Sequence, residues 1–330
     1  MPLFMDLHKA GDYEEKPTVE EIKRSHIADL AVQHKYGVKF LQYWINEDAG
    51  LVFCLMEGPD KESCAAVHRE AHGNMPCNVI ELQGGDYRAF MEAESNKVNE
   101  FDIVETADGL LDTGYRIILA IDIISAVEDH LYETISGALK KTSGRSVNRP
   151  GTRDTIVFNS ALPAIEFALQ LVNNIAQLKD PSTEIRVGIS AGEPVTEQPG
   201  FFGESIQLAN RLCDIAGNNQ VVISPLVKQL AGEIALQAFK SQNSLKVLNA
   251  EEEKFLQQLS EAIHGMIAEP AFNIDVLSKQ LGLSKSQLYR KIISLTGRPA
   301  NNFIRELRLQ KAYKLMRNKY GNVSEVAFAM

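Results

Sequence analysis

The stretch Ser284-Lys285-Ser286-Gln287-Leu288-Tyr289-Arg290-Lys291-Ile292-Ile293-Ser294-Leu295-Thr296-Gly297 reads as one capped amphipathic helix. Ser284 can cap it, because its hydroxyl accepts from a first-turn N–H that has no helical partner. Leu288, Ile292 and Leu295 recur at helical spacing and form an inward stripe. Lys285, Ser286, Gln287, Tyr289, Arg290 and Lys291 remain for the outward face. Gly297 and Pro299 stop the helix. Just upstream, Asn273 can cap a helix with Ile274, Leu277 and Leu281 on one side. Gly282 then supplies the left-handed residue that a tight helix–helix turn prefers. The buried stripe would set the angle of the second helix. Its outward Arg and Lys can neutralise phosphates or bond guanine, and its Gln can bond adenine.

A longer helix is expected from about 300 to 318, with Phe303, Ile304, Leu307, Ala312, Leu315 and Met316 apolar. Arg305, Arg308, Lys311, Lys314 and Arg317 are interspersed, as they also are on many solvated surface helices. The segments Leu288–Ile292, Thr296-Gly297-Arg298-Pro299, Phe303-Ile304 and Leu307-Arg308-Leu309, with Ala312 and Leu315-Met316, closely resemble the AraC family of bacterial activators. The resemblance covers about residues 252–330. It implies a DNA partner, with Ser284, Lys285, Ser286, Gln287, Tyr289, Arg290 and Lys291 as the contacting residues. It also implies two helix-turn-helix units. Asn322–Met330 matches only the first helix of the second, so that unit is expected to be incomplete in this sequence.

Net charge over all 330 residues is −9, which by itself argues against nucleic acid. Between Ile274 and Tyr320, however, eleven Lys and Arg stand against two acids, a local +9 that leaves −18 for the rest. A basic end on an acidic body is the electrostatic footprint of a DNA-binding regulator. No stretch reaches the ~18 apolar residues of a membrane helix, and no secretory signal is visible. The four cysteines, Cys54, Cys64, Cys77 and Cys213, show no paired metal-finger spacing. A cytoplasmic protein with reduced thiols and no membrane partner is expected.

The middle of the chain reads as an α/β unit over 116–235, followed by a linker over 236–250. Ile117–Ile124 is nearly continuous apolar sequence, as a buried strand would be. Pro163 sits where a helix can begin, and Ile165, Ala168, Leu171, Val172, Ile175 and Leu178 recur at helical spacing. Ile121-Asp122-Ile123, Ile185–Glu193 and Phe202–Leu212 resemble the class III adenylate/guanylate cyclase domain. That family holds two metal ions on two aspartates. Asp122 matches the first, whereas Thr152, after Gly151, stands at the second, with Asp154 two residues on. Gln207 aligns with the family's ribose-orienting Asn and Arg211 with its transition-state Arg. The purine-selecting stretch reads Pro199-Gly200-Phe201-Phe202. One carboxylate holds two divalent ions poorly. A cyclase-like fold retained for dimerisation, without enzyme activity or a bound nucleotide, is therefore expected, with Asp122 and Arg211 as remnants and a homodimer as the assembly. The competing expectation is an active nucleotidyl cyclase with a DNA-binding tail.

Residues 1–82 read as βαββαβ, the order of a ferredoxin-like sandwich. Thr18-Val19-Glu20-Glu21 is a capping box that opens a helix, and Gly37 breaks it. Glu47–Gly50 joins two strands as a hairpin, and Asp60–Ala71 is a second helix. Residues 83–115, polar and weakly patterned, read as a connector. Five of the seven histidines, His8, His26, His34, His68 and His72, fall in the first 72 residues. His68 and His72 stand at i, i+4 on one helix face, and Asp6 and His8 share a strand face. A nitrogen-rich site with a carboxylate suits Ni or Zn. Isolated surface or core histidines are a commoner outcome of such a scatter. Ser25–Leu30, Gln33–Val38, Val52–Leu55 and Val67–Gly73 resemble small ferredoxin-like nickel-binding bacterial domains. That resemblance implies nickel, with His68 and His72 first among the ligands and His8 and His26 behind them. The fold expected overall is multidomain α+β and all-α, ending in a helix-turn-helix region over 251–330.

Overall fold

The computed structural model describes residues 1–9, 16–83, 85–92, 96–124, 135–147, 153–177, 183–239, 242–269, 272–317 and 320–328. The chain divides into two compact units, Met1–Arg116 with Ala191–Ser205, and Ile117–Ser190 with Ile206–Met330.

The first unit opens with β1 (Leu3–Lys9), α1 (Val19–Val32), β2 (Lys39–Asn46), β3 (Leu51–Glu57), α2 (Lys61–Ala71) and β4 (Asn78–Leu82). The strands form one sheet in the order β2-β3-β1-β4, with every paired neighbour antiparallel. This is the arrangement expected of the βαββαβ reading. The capping box of α1 is present: Glu21 N–H donates to the Thr18 hydroxyl at 3.3 Å and Thr18 N–H to the Glu21 carboxylate at 2.8 Å. A 3-10 turn over Gln33–Tyr36 prolongs the helix, and Gly37, at φ +64°, ends it. Asp60 caps α2. Phe4, Phe40, Tyr43, Ile45, Met56 and Val67 meet between sheet and helices.

Residues 83–115 are more than a connector. They hold α3 (Asp86–Met91) and the paired strands β5 (Lys97–Val98) and β6 (Val104–Glu105). Phe90, Met91, Ile103 and Val104 are buried. The organiser is Arg116, fully buried, which binds both Asp112 carboxylate oxygens at 2.9 Å. The same guanidinium donates to the carbonyls of Phe90 at 3.0 Å and Tyr115 at 2.7 Å. A buried arginine needs such complete pairing to offset its desolvation. In a sequence it looks like any surface charge, which is why the segment seemed structureless.

The second unit is built on β7 (Arg116–Ile124), β8 (Arg145–Val147), β9 (Asp154–Phe158), α4 (Ala161–Ala176), β10 (Glu184–Gly192), α5 (Gly203–Ile215), β11 (Gln220–Ile223), α6 (Pro225–Ala231), α7 (Glu233–Gln237) and β12 (Leu245–Val247). The sheet order is β12-β11-β10-β7-β9-β8. β11 runs parallel to both β10 and β12, whereas β9 is antiparallel to β7 and β8. The helical stripe Ile165, Ala168, Leu171, Val172 and Ile175 is buried as predicted, while Leu178 lies outside the described residues. The expected linker over 236–250 contains β12, which pairs with β11 from Val221↔Leu245 to Ile223↔Val247. Three residues are too short for a periodicity signal, so the strand is invisible until its neighbour is placed.

The C-terminal part is helical, as expected: α8 (Ala250–Met266), α9 (Ile274–Gln280), α10 (Lys285–Thr296), α11 (Ala300–Arg317) and α12 (Val323–Phe328). Gly282 takes φ +64° after α9, the left-handed turn the sequence predicts, and Gly297, expected to end α10, does so at φ +68°. These helices share one core with the sheet. Leu256, Leu259, Leu277, Leu288, Ile292 and Phe303 pack in the same cluster as Leu212 and Ile215 of α5 and Val222 of β11. Helices this short bury too little apolar surface alone, so a continuous core supplies their stability.

The tightest packing lies between β10 and α5. A Cβ on Gly188 would overlap the Ala209 carbonyl and the Cys213 N–H of α5, both backbone groups. Gly188→Ala therefore forces strand and helix apart, at a cost of about 3 kcal/mol. Thermal unfolding of the variant should begin several degrees lower. An unchanged transition would contradict this contact.

Candidate functional site

Three elements of the first unit bring acids and histidines together. Alternation along β1 puts Asp6 and His8 on one face. One turn of α1 separates His26 from Asp29. Helical spacing places His68 on α2 and His72 at its C-terminal cap on one side. His68 Nε2 lies 2.8 Å from an Asp6 carboxylate oxygen, and its Nδ1 lies 3.1 Å from Asp29. His72 Nε2 is 3.2 Å from Asp29. His8 Nε2 is 3.4 Å from Asp6. The backbone N–H of Cys54 donates to the other Asp6 oxygen at 3.0 Å. Asp6 and His68 are buried, at 0% and 1% exposure.

Two metal-capable groups result, Asp6–His8–His68 and Asp29–His68–His72, each with its ligand atoms within 4.8 Å of one another. His68 belongs to both. Three of the four candidate histidines thus converge. His26 does not join them: its Nε2 is 3.1 Å from Asp102, and its ring lies 4.5 Å from that of Tyr43. Asp29 was not singled out in the sequence, although its place three residues after His26 on α1 is a signal that could have found it.

The electrostatics follow from burial and pairing. Burial opposes a charge on His68, but the hydrogen bonds to Asp29 and Asp6 outweigh it and raise the pKa to about 10. Burial raises the Asp6 carboxyl, yet His8 and His68 hold it well below the usual range. Asp29 is likewise lowered against its burial by His68 and His72. In this state His68 is an imidazolium clasped by two carboxylates. A divalent ion would replace that proton, since a ligating imidazole must be neutral. The donor set fits such an ion: imidazole nitrogens and carboxylates suit Ni or Zn. His8 Nε2 also fits, being buried with no hydrogen-bond partner among the described residues.

The other candidate residues lie in the second unit. Asp122 faces a cation, the Nη2 of Arg153 at 3.5 Å. Arg153 is buried and also binds Asp214 at 2.5 Å, the Asn210 carbonyl at 2.9 Å and Gln310 of α11 at 3.2 Å. Arg211 sits on α5, 3.9 Å from Glu261. Thr152 and Gly151 lie outside the described residues. Among the described residues Asp122 belongs to no metal-capable group of three. The purine-selecting stretch belongs to the first unit, where Phe201 and Phe202 are buried against Phe90 at ring distances of 5.6 and 5.0 Å.

On α10, Leu288, Ile292 and Leu295 are buried as predicted, and Ser284, Lys285, Ser286, Gln287, Tyr289, Arg290 and Lys291 are all exposed. Their side chains are not equally free. Ser284 and Gln287 close a capping box on each other. Lys285 pairs with Asp275 at 2.7 Å, and Lys291 lies 4.9 Å over the Phe255 ring. Among the described residues Arg290 donates only to the Ser286 carbonyl, at 3.3 Å. Other basic residues of this end are structural. Arg298 donates to the Asp214 and Ala216 carbonyls, and Arg308 to those of Ile267 and Phe272. The side chains of Lys314 and Arg317 lie outside the described ones.

Residues 4–82 match the family described as nickel responsive protein SCO4226-like. The crystal structure of SCO4226 from Streptomyces coelicolor A3(2) is 34% identical over 24% of this chain and 94% of that one, with a TM-score of 0.22. An adenylate/guanylate cyclase/hydrolase from Silicibacter pomeroyi is 23% identical over 35% of this chain and 78% of its own, at a TM-score of 0.30. An adenylate cyclase from Trypanosoma brucei is 18% identical over 38% of this chain, at 0.32. Histidine kinase P4 of Formosa agariphila is 29% identical over 77 residues, 23% of this chain; the chain spans 6% of that relative's length. The expectation that the chain is no enzyme is corrected by the cyclases among these structures. Covering little over a third of the chain at such TM-scores, they assign it no reaction. Among the described residues, no helix is long and apolar enough to cross a membrane.

The clasped imidazolium predicts a pH dependence for the metal-free protein. The folded pKa of His68, about 10, lies above its unfolded value of about 6.5. Its ion pairs therefore stabilise fully below about 6.5, and that contribution is lost as pH rises through about 10. Asp6 and Asp29 are shifted down, so their share is lost as pH falls below about 3.9. Thermal stability should decline from neutral pH towards about 10, and His68→Gln should flatten that decline. An identical alkaline slope in the variant would contradict the assignment.

Proposed function

We propose that the chain is a nickel-responsive regulator: the first unit takes the ion, and the exposed face of α10 binds DNA. The observation that carries the reading is the convergence of Asp6, His8, Asp29, His68 and His72 from three separate elements. Random surface histidines do not share buried carboxylates in this way. The match of residues 4–82 to a nickel-responsive family supports nickel over other divalent ions.

An ion on the Nε2 side of His68 would join β1 to α2 through Asp6 and His8, and one on the Nδ1 side would join α1 to α2 through Asp29 and His72. His68, His72 and His8 would present nitrogen, and Asp6 and Asp29 would orient the imidazoles and balance the charge. The DNA reading rests on the outward set Lys285, Ser286, Tyr289 and Arg290, on the buried stripe beneath it, and on the basic balance of this end of the chain. Phosphate contacts by Lys and Arg give affinity, and side chains reaching base edges give specificity. For the ion to regulate, it must bind the DNA-competent and incompetent states with different affinity.

Calorimetric titration of the metal-free chain with Ni²⁺ tests the first half. Wild type should bind, and the His68→Ala, His72→Ala double variant should lose at least about 100-fold in affinity. Full binding by the double variant would sink the site. Fluorescence anisotropy against promoter DNA tests the second half. Arg290→Ala should weaken binding about tenfold and reduce the salt slope by about 1. Unchanged affinity and slope would remove α10 as the DNA-binding element.

A further inference from the structure

The cleft beside the metal-capable groups has a volume of about 600 Å³. A single ion occupies a small part of that, whereas sites for small organic molecules run ~300–1,000 Å³. His8, Asp29, His68 and His72 line it, and so do His26 and Tyr43. These last two belong to neither metal-capable group. They are 5% and 1% exposed, and their rings lie 4.5 Å apart.

Both carry a buried polar atom with no hydrogen-bond partner among the described residues, Nδ1 of His26 and the hydroxyl of Tyr43. Leaving such an atom unpaired costs ~1–3 kcal/mol. The pair is nonetheless held in place by Asp102. Its carboxylate lies 3.1 Å from His26 Nε2, and its carbonyl accepts from the Tyr43 N–H at 2.9 Å. Asp102 has φ +61°, a left-handed conformation that aspartate adopts more readily than most residues. Two buried polar atoms without a partner among the described residues, held side by side in the lining of a cleft, point to a partner from outside the chain.

Their chemistry narrows that partner. The carboxylate at Nε2 fixes the proton there and leaves Nδ1 as a bare acceptor. Burial pushes the Tyr43 hydroxyl far above its ordinary pKa, so it stays protonated and donates. The ligand must therefore offer an N–H or O–H beside an acceptor. Glu21 and Asp29 line the cleft, and the one lysine there, Lys9, is held by Glu197 at 2.6 Å. That acidic balance disfavours a polycarboxylate and favours an amine-bearing chelator. We propose that the cleft takes the divalent ion together with an amino-acid-type chelator. The amine and carboxylate of the chelator bind the ion. Its side-chain N–H goes to His26 Nδ1, and its nearby acceptor takes the Tyr43 hydroxyl.

The proposal rests on the metal reading and is tested so that the two can fail separately. The full chain is dialysed to equilibrium with radiolabelled L-histidine, with and without Ni²⁺, and nickel is counted in parallel. Histidine should be retained one-to-one, and only when nickel is present. Tyr43→Phe, which keeps the ring, should weaken histidine retention about tenfold while leaving the uptake of nickel alone unchanged. Labelled citrate should not be retained. Nickel held without histidine, nickel stripped by histidine, or histidine bound equally without nickel would overturn the chelator and leave the ion site standing. Retention of neither would overturn both.

Discussion

One buried histidine clasped by two buried carboxylates sets the geometry of the N-terminal body. His68 comes from α2, Asp6 from β1 and Asp29 from α1, so the contact ties both helices to the sheet at one point. Any one of these groups left alone in the interior would be strongly destabilising, because a buried charge without its partner keeps its full desolvation cost. Together they offset much of one another's desolvation cost. The same arrangement is what a divalent ion would use, with the ion in place of the proton. The structural role and the proposed metal-binding role therefore rest on the same atoms. Removing a ligand should disturb the fold before it disturbs the chemistry, and so binding must be read beside stability.

Much of this was legible in the residues. The capping box at Thr18, the cap at Ser284, the turn glycines Gly37, Gly282 and Gly297, and the stripes on α4 and α10 are local signals, and each appears where it was expected. His68 and His72 were legible because helical spacing is a local property. Asp29 and Asp102 were not. Their roles depend on which elements pack together, and no local pattern reports that. His26 shows the converse failure: grouped with the ligands by its type, it is withdrawn from them by Asp102, a residue of the supposed connector.

The C-terminal half shows a similar limit. Boundaries drawn at polar stretches placed a linker before the last helices. The structure instead runs an edge strand, β12, through that stretch, and Lys246 within it donates to the Ser294 and Leu295 carbonyls at the end of α10. Arg186 and Arg298 both reach Glu306 of α11. The helices proposed to read DNA are thus anchored on the sheet by a shared core and by paired charges. Several residues that swell the basic count of this region serve that anchoring, which leaves a smaller set free for phosphates than the composition suggests. Arg290 stands out within it, having no acidic partner among the described residues and one hydrogen bond there, to the Ser286 carbonyl.

The account stands on the claim that the clustered histidines ligate a metal ion through their ring nitrogens. X-ray absorption at the nickel edge, on the full chain loaded with one equivalent of Ni²⁺, tests it most directly. Ligation by His68 together with either His8 or His72 requires the multiple-scattering signature of two imidazoles in a nitrogen- and oxygen-rich shell. A spectrum with only oxygen neighbours and no imidazole scattering would mean the ion sits elsewhere, and that the buried cluster is a structural ion pair.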